Sequence, residues 1–413
     1  MYHKHSKYQI IALINLMYLL TGLLLSIISA LIPEIIRSYK LSYSIAATLP
    51  FAYFIAFVVF SIPAGIANEK YSPKSVLFFS LVMALIGSLL FAIFPNYYMS
   101  MVSLFIIGTA IAINQVTIVP LLRLACGAEN LAFHNSLNMV LYGAGAFLSP
   151  RIYSFLTSHL IDKTSDRNLF FGLLSRLVPN HYEWISAYWL FVIFILFSLA
   201  VTWLTQFPAA QERNPEERID KNTFIDMVKN KYIILYFIAI TAYASCEQGN
   251  AVWMSKFFQD QHALDPLTSG ASILSWYWIL VSIGCIPGMA LLKIFDSRKV
   301  LAGFSICAMI CFSLGIYGPV GISKITYPMV GIFESVMWPV IFSLALNSVK
   351  RHHGALTGLL YIGSIGGAIG PLIIGTAGDY VGLRLSLNFI YLPLLMILSV
   401  SFWAKPLINN KTI

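Results

Sequence analysis

Residues Lys231 to Lys256 read KYIILYFIAITAYASCEQGNAVWMSK. Between the two lysines stands one charge, Glu247. About 20 apolar residues are enough to cross a bilayer as a helix. A carboxylate at that depth costs about 2.5 kcal/mol or more on insertion scales, so it marks a candidate functional site. Tyr243, Glu247, Asn250 and Met254 are spaced i, i+4, i+7, i+11, which puts them on one helix face. That face must look into protein or a water-filled path, not into lipid.

The rest of the chain repeats the pattern. Of its 413 residues 58% are hydrophobic and 10% charged, against roughly 25% charged in soluble domains. The composition predicts an all-α integral membrane protein. Charge-free runs give twelve spans: Lys7 to Glu34, Lys40 to Glu69, two between Lys74 and Arg123 with a turn at Pro95-Asn96, Glu129 to Arg151, Glu183 to Glu212, Lys231 to Lys256, Pro266 to Leu292, Val300 to Ser323, Lys324 to Lys350, His352 to Gly378 and Leu385 to Ala404. The net charge of +9 is scattered between these runs and does not indicate nucleic acid. With both termini cytoplasmic, 17 of the 26 lysines and arginines fall on cytoplasmic ends and 9 on outer ends, the orientation that positive loops prefer. Residues 1–206 then form one six-helix half, 207–230 a cytoplasmic linker and 231–413 the other half. The outer loop from Asp162 to Glu183 contains NLFFGLLSRL, a candidate short interfacial helix. The five cysteines form no CxxC pair and imply no disulfide framework.

A repeat supports the two halves. Ile62-Pro63, Lys74 and Val76-Leu77 recur as Ile286-Pro287, Arg298 and Val300-Leu301, at one offset of 224 residues. Val119-Pro120 is echoed by Trp338-Pro339. Such repeats mark transporter folds built from two halves.

Three blocks carry a family resemblance: YFIAFVVFSIPAGIANEK at Tyr53–Lys70, MWPVIFSLAL at Met337–Leu346 and GGAIGPLIIGTAGDYVG at Gly366–Gly382. They resemble the second-, tenth- and eleventh-span motifs of the fucose–proton symporter family, a sugar branch of the major facilitator superfamily. The resemblance implies twelve helices, alternating access and proton-coupled uptake of a hexose or deoxyhexose, with spans one, four, seven and ten lining the substrate site. Two acids of the family's fucose transporter are replaced. Ser29 stands four residues before Pro33, and Gln115 five residues before Pro120. Val119 takes the place of the family's Asn.

The candidate substrate contacts are Ser29, Asn114, Gln115, Asn138, Tyr142, Glu247, Gln248, Asn250, Trp253, Glu334, Trp338 and Tyr361. A sugar offers hydroxyls on its rim and C–H faces, so amides and carboxylates beside an aromatic plate suit it; Trp338 and Trp253 can supply the plate. Packing is the competing reading for the Gly22, Ser26 and Ser29 stripe, for Asn138 with Tyr142 and for the run Trp276-Tyr277-Trp278. Arg151 is open between snorkelling and substrate contact. Glu247 and Glu334 are the candidate proton-coupling residues, because neutral amides and hydroxyls cannot change charge state during a cycle. Glu247 is expected to carry the proton and Glu334 to accept hydrogen bonds from substrate. Pro339 should open the tenth span locally. No phosphate loop, metal cluster or nucleophile triad is evident, so neither a cofactor nor an enzyme activity is expected. The expected partners are a sugar, protons (sodium is the alternative ion) and the bilayer of a cell (inner) membrane, with the protein a monomer. A facilitative sugar uniporter, an efflux antiporter of the same fold and a non-transporting sensor are the competing functions.

Overall fold

The computed structural model describes residues 4–162, 169–207, 229–349 and 353–406. Most of the expected linker and part of the 162–183 loop lie outside them. The described chain is helical from end to end. Its first elements are α1 (Lys4–Tyr39), α2 (Tyr43–Lys70), α3 (Pro73–Ile93), α4 (Tyr97–Ile161), α5 (Leu169–Leu177) and α6 (Ser186–Leu204). Then come α7 (Lys231–His262), α8 (Ala271–Ile294), α9 (Ser297–Tyr317), α10 (Val320–Glu334) and α11 (Met337–Leu346). The last are α12 (His353–Ile362), α13 (Gly366–Val381), α14 (Leu383–Ser386) and α15 (Tyr391–Trp403). Ten helical stretches among the described residues are long and apolar enough to cross a membrane. The later part of α4 and the more polar α7 supply helices at the fifth and seventh places.

Polar residues start these helices where the sequence leaves the apolar runs. Ser42, Ser72 and Asn96 accept the backbone N–H three residues on, and Asp296 accepts that of Arg298. These are N-caps, and Pro73 follows Ser72 at the first helical position. Gly382 ends α13 at φ +81°, where a side chain would be strained.

Two expectations need correction. The ninth span runs over Ser297–Tyr317 and the tenth starts at Val320, so Lys324 lies on the exposed side of a helix and does not bound one. The Gly318-Pro319 turn sets this boundary, not the charge. Likewise α1 continues to Tyr39, so Glu34 is inside the helix and only 7% exposed, ion-paired with Arg37.

Helix α4 is assigned without interruption over 65 residues. Straight, it would be about 98 Å long. Yet Ala110 and Asn114 share a small space with Leu20, Thr21 and Leu24 of α1, and Gly145 packs on Leu19 and Leu23 of α1. One short stretch of α1 touches both parts, so the chain doubles back between them. The loop segment α5 docks Phe171 and Leu174 onto Leu156 and Leu160 of α4.

Close helix approaches fall on small residues. A Cβ on Gly22 would strike the Tyr142 carbonyl, and one on Gly108 the Tyr53 carbonyl. Ser26 donates to the Ala146 carbonyl (2.7 Å) and Ser149 to the Leu23 carbonyl (2.8 Å). The Gly22–Ser26 stripe is therefore packing. On α13, a Cβ on Gly366 or Gly370 would strike the backbone of Thr241 or Ser245. This fixes α7: its Thr241–Ser245 face lies on α13, which turns the Glu247 face elsewhere.

The chain divides into two compact units. The first holds residues 1–212 and Val252–Ser275, the second 213–251 and Trp276–Ile413. Helix α7 thus passes from one unit to the other between Ala251 and Val252. Its end is fastened within the first unit. Tyr43 donates to Asp260 Oδ2 (2.7 Å), Lys256 bonds Asp260 Oδ1 (2.7 Å), and Trp253 meets the Tyr43 ring edge-on at 5.7 Å.

The 224-residue repeat is visible in three dimensions. Helices α3 and α9 have the same length at that offset. Every buried residue of α9, from Val300 to Ile316, maps at that offset onto a buried residue of α3, from Val76 to Ala92. The matched cations do matched work. Lys74 donates to the Trp203 and Thr205 carbonyls at the end of α6 (2.5 and 3.0 Å). Arg298 donates to the Ala404 carbonyl just past α15 (3.4 Å). Each cation satisfies carbonyls that a helix leaves unpaired. Arg298 also binds Asp296 (3.0 and 3.1 Å), and these bonds hold the Asp296 carboxyl below its ordinary range.

Lys74→Met and Arg298→Met should each cost about 1 kcal/mol. Because the two clamps sit in different units, the losses should add in a thermal melt of the purified protein. Gly366→Val should cost about 3 kcal/mol by overpacking. Gly303→Ala, where a Cβ meets nothing within 4 Å, should leave the melt unchanged or slightly raised.

Candidate functional site

The tenth span does open, one turn before Pro339. Helix α10 ends at Glu334, and α11 starts at Met337. Proline lacks the N–H that would bond the carbonyl four residues back and crowds that carbonyl. Here that carbonyl is Ser335, which accepts the Cys285 thiol instead (3.6 Å). Glu334 consequently sits at a helix C-terminus, the end least suited to an anion.

Three donors offset this. Cys246 Sγ (3.0 Å) and Asn250 Nδ2 (2.8 Å) donate to Glu334 Oε1, and Tyr277 Oη donates to Oε2 (2.5 Å). Glu334, Asn250, Cys246 and Tyr277 are each 0% exposed. Helices α7, α8 and α10 meet at this carboxylate. The Asn250 Oδ1 atom is buried without a hydrogen-bond partner.

Glu247 lies beside this knot in a different environment. It is half-buried. Tyr243 donates to its Oε1 (2.6 Å) and Gln248 Nε2 to its Oε2 (3.3 Å). Its backbone carbonyl accepts Tyr277 Oη at 3.2 Å, which ties the two acids through one phenol. Tyr243 also carries the site to the aromatic residues. Its ring is 5.6 Å from Trp338, edge-on. Trp338 stacks on Phe342 (6.1 Å, 22°) and meets Tyr361 at 6.1 Å. Phe342 and Tyr361 are 5.6 Å apart. A carboxylate with an amide thus stands beside a half-buried aromatic wall.

Six of the candidates, Glu247, Gln248, Asn250, Glu334, Trp338 and Tyr361, are joined into this one constellation through Tyr243 and Tyr277. Glu334 already accepts two protein donors at Oε1 and one at Oε2. Trp253 is fully buried against Tyr43 in the first unit and is not a member. The first unit's own candidates do not join one another in this way. Asn114 borders a cavity of about 10 Å³ walled by α1, α3 and α4, room for about one water, with its Oδ1 unpartnered. Asn138 is 0% exposed with both amide atoms unpartnered. Ser29 is 1% exposed. Gln115 and Tyr142 are half-buried. Arg151 is exposed, its guanidinium 4.8 Å from the Phe147 ring, as snorkelling requires.

Sequence reasoning missed Tyr277, Cys246 and Phe342 as site members. Tyr277 lies between two tryptophans, and the run reads as a membrane-surface anchor; only Trp276, 50% exposed, sits openly. Phe342 stands one turn after Trp338, a spacing that could have flagged it.

Comparison with known proteins agrees with the fold. The Major Facilitator Superfamily model matches residues 14–371. A glucose/galactose transporter of Brucella abortus biovar 1 (strain 9-941) is 25% identical over 408 residues, covering 97% of this chain and 93% of that protein. The L-fucose-proton symporter of Escherichia coli (strain K12) is 23% identical over 372 residues, covering 85% and 83%. Among solved structures, a bacterial homolog of the human lysosomal transporter Spinster superposes with a TM-score of 0.82 at 12% identity, covering 98% of this chain and 97% of that one. With 358 of its 413 residues inside the family model, the chain belongs to the Major Facilitator Superfamily and is a multi-pass membrane transporter, not an enzyme.

Proposed function

We propose that this transporter takes up a monosaccharide, a hexose or deoxyhexose, coupled to protons by alternating access. The observation that carries the reading is the aromatic wall of Trp338, Phe342, Tyr361 and Tyr243 beside the Glu247 carboxylate and Gln248. The wall offers apolar faces to sugar C–H groups, and Glu247 and Gln248 offer partners to hydroxyls. The names of the relatives, glucose/galactose transporter and L-fucose-proton symporter, support the same substrate class. In the first unit the half-buried Gln115 and Tyr142 are the sugar contacts we retain. Ser29, Asn114 and Asn138 we assign to interhelical packing or water. Coupling falls to the pair Glu247 and Glu334, since Ser29 and Gln115 are neutral where the resemblance leads one to expect acids.

In this reading the protein lies in a cell inner membrane as a monomer, with both termini cytoplasmic. Residues 1–206 and 231–413 act as the two halves and 207–230 as their linker. Sodium is the alternative ion.

Purified protein in liposomes, given radiolabelled sugars, should show saturable uptake that depends on hydroxyl pattern, because a hydrogen-bonding site rejects analogues that leave it unpaired. Binding of hydrophobic cations with no response to any monosaccharide would replace this reading with efflux. Trp338→Ala should weaken sugar binding at least about tenfold, the effect of losing roughly 1.4 kcal/mol, and Trp338→Phe less. Unchanged affinity in Trp338→Ala would remove the wall from the binding site. The double variant Glu247→Gln, Glu334→Gln should exchange sugar across the membrane but no longer accumulate it on an inward proton gradient. If the wild type never accumulates sugar at any pH, it is a facilitator.

A further inference from the structure

The pair Glu334 and Asn250 has a property that the transport reading does not use. Asn250 spends its amide N–H on Glu334 Oε1 at 2.8 Å, while its Oδ1 has no partner although the residue is 0% exposed. An asparagine side chain can exchange its oxygen and nitrogen by half a turn about its last torsion, with little change in shape. A carboxylate can only accept hydrogen bonds, but a carboxylic acid must place one O–H on an acceptor. The two residues are complementary in both protonation states.

We propose that Glu334 carries the transported proton and that Asn250 is its two-position partner, donating from Nδ2 to the carboxylate and accepting at Oδ1 from the carboxylic acid. The inference rests on the proton-coupled reading above and deepens it. A proton arriving on Oε1 makes that atom a donor that needs an acceptor, while Cys246 still donates to it. The Asn250 amide then turns to present Oδ1. Tyr277 keeps its bond to Oε2 in both states. The carboxylate state leaves Oδ1 unpaired and uses Nδ2 on Glu334 Oε1 and, at 3.6 Å, on Cys246 Sγ; the acid state pairs Oδ1 and gives up the Nδ2 bonds, so the proton exchanges one set of partners for another.

The titratable groups that face Glu334 are Tyr243, Cys246 and Glu247 from α7, Tyr277 from α8 and Tyr327 from its own helix. Glu247 is the one other carboxyl among them, and no cation stands among them. The three donors are therefore what supports the anion. Glu247, half-buried and bonded to Tyr243 and Gln248, is left to the sugar. Asn250 is also one residue before Ala251, the last residue of α7 that belongs to the second unit.

Infrared difference spectra of the purified protein between acidic and alkaline pH test this without any sugar. The wild type should show the stretch of a protonated carboxyl in a water-poor site, together with a change in a side-chain amide carbonyl band. Glu334→Gln should remove both, and Glu247→Gln should leave both. Asn250→Leu should remove the amide band and move the carboxyl midpoint. Glutamine at 334 keeps an acceptor for Tyr277, and a normal melt would show that it folds. A wild type with no such carboxyl band would overturn the proposal. So would a band lost in Glu247→Gln but kept in Glu334→Gln, or an amide band that survives Glu334→Gln. If these spectra come out as expected while no sugar is transported, the sugar reading fails and the proton site stands.

Discussion

A bilayer offers no water to a stranded polar group, and Glu334 is the place where this fold must answer that constraint most fully. Its carboxylate ends a half-helix, is entirely buried, and takes donors from Cys246, Asn250 and Tyr277. Removing any one donor leaves a charge short of a partner at a depth where that is expensive. The Pro339 break, the glycine face of α13 against α7 and the position of Tyr277 on α8 can all be read as conditions for that one satisfied anion.

The same logic explains how α7 can be the most polar long helix of the chain and still be stably placed. Its Thr241–Ser245 side lies against the Gly366 and Gly370 backbone, where a β-carbon would not fit. Its Cys246 and Asn250 side is consumed by Glu334. What is left over, Tyr243, Glu247 and Gln248, is the portion with spare hydrogen-bonding capacity next to Trp338.

Much of this was legible in the residues. Apolar runs located the helices because a span must be long and uncharged. The Tyr243, Glu247, Asn250 periodicity placed those side chains on one face, and the offset between Lys74 and Arg298 predicted equivalent surroundings. Boundaries set by charge went astray where a turn or a continuing helix decided the matter, as at Gly318-Pro319 and at Glu34. Roles were harder. That both Glu334 oxygens are engaged depends on Tyr277, 57 residues away, and nothing local in the Trp276-Tyr277-Trp278 run announces it. Asn114 and Gln115 are neighbours in sequence but stand about 100° apart on a helix, so two adjacent amides meet different surroundings.

The correspondence of α3 with α9 says something about history. Their buried faces and their terminal cations kept step, as if copied from one ancestral six-helix unit. The polar site did not: Tyr277 has Tyr53 at the repeat offset, but Asn250 and Cys246 meet Ser26 and Gly22 there, and Ser29 and Gln115 are neutral. Scaffold positions in the two copies have stayed interchangeable in kind, while in the proposed reading the coupling acids belong to one copy. A duplicated fold can in this way lend one half to proton chemistry and leave the other free to drift toward a new cargo.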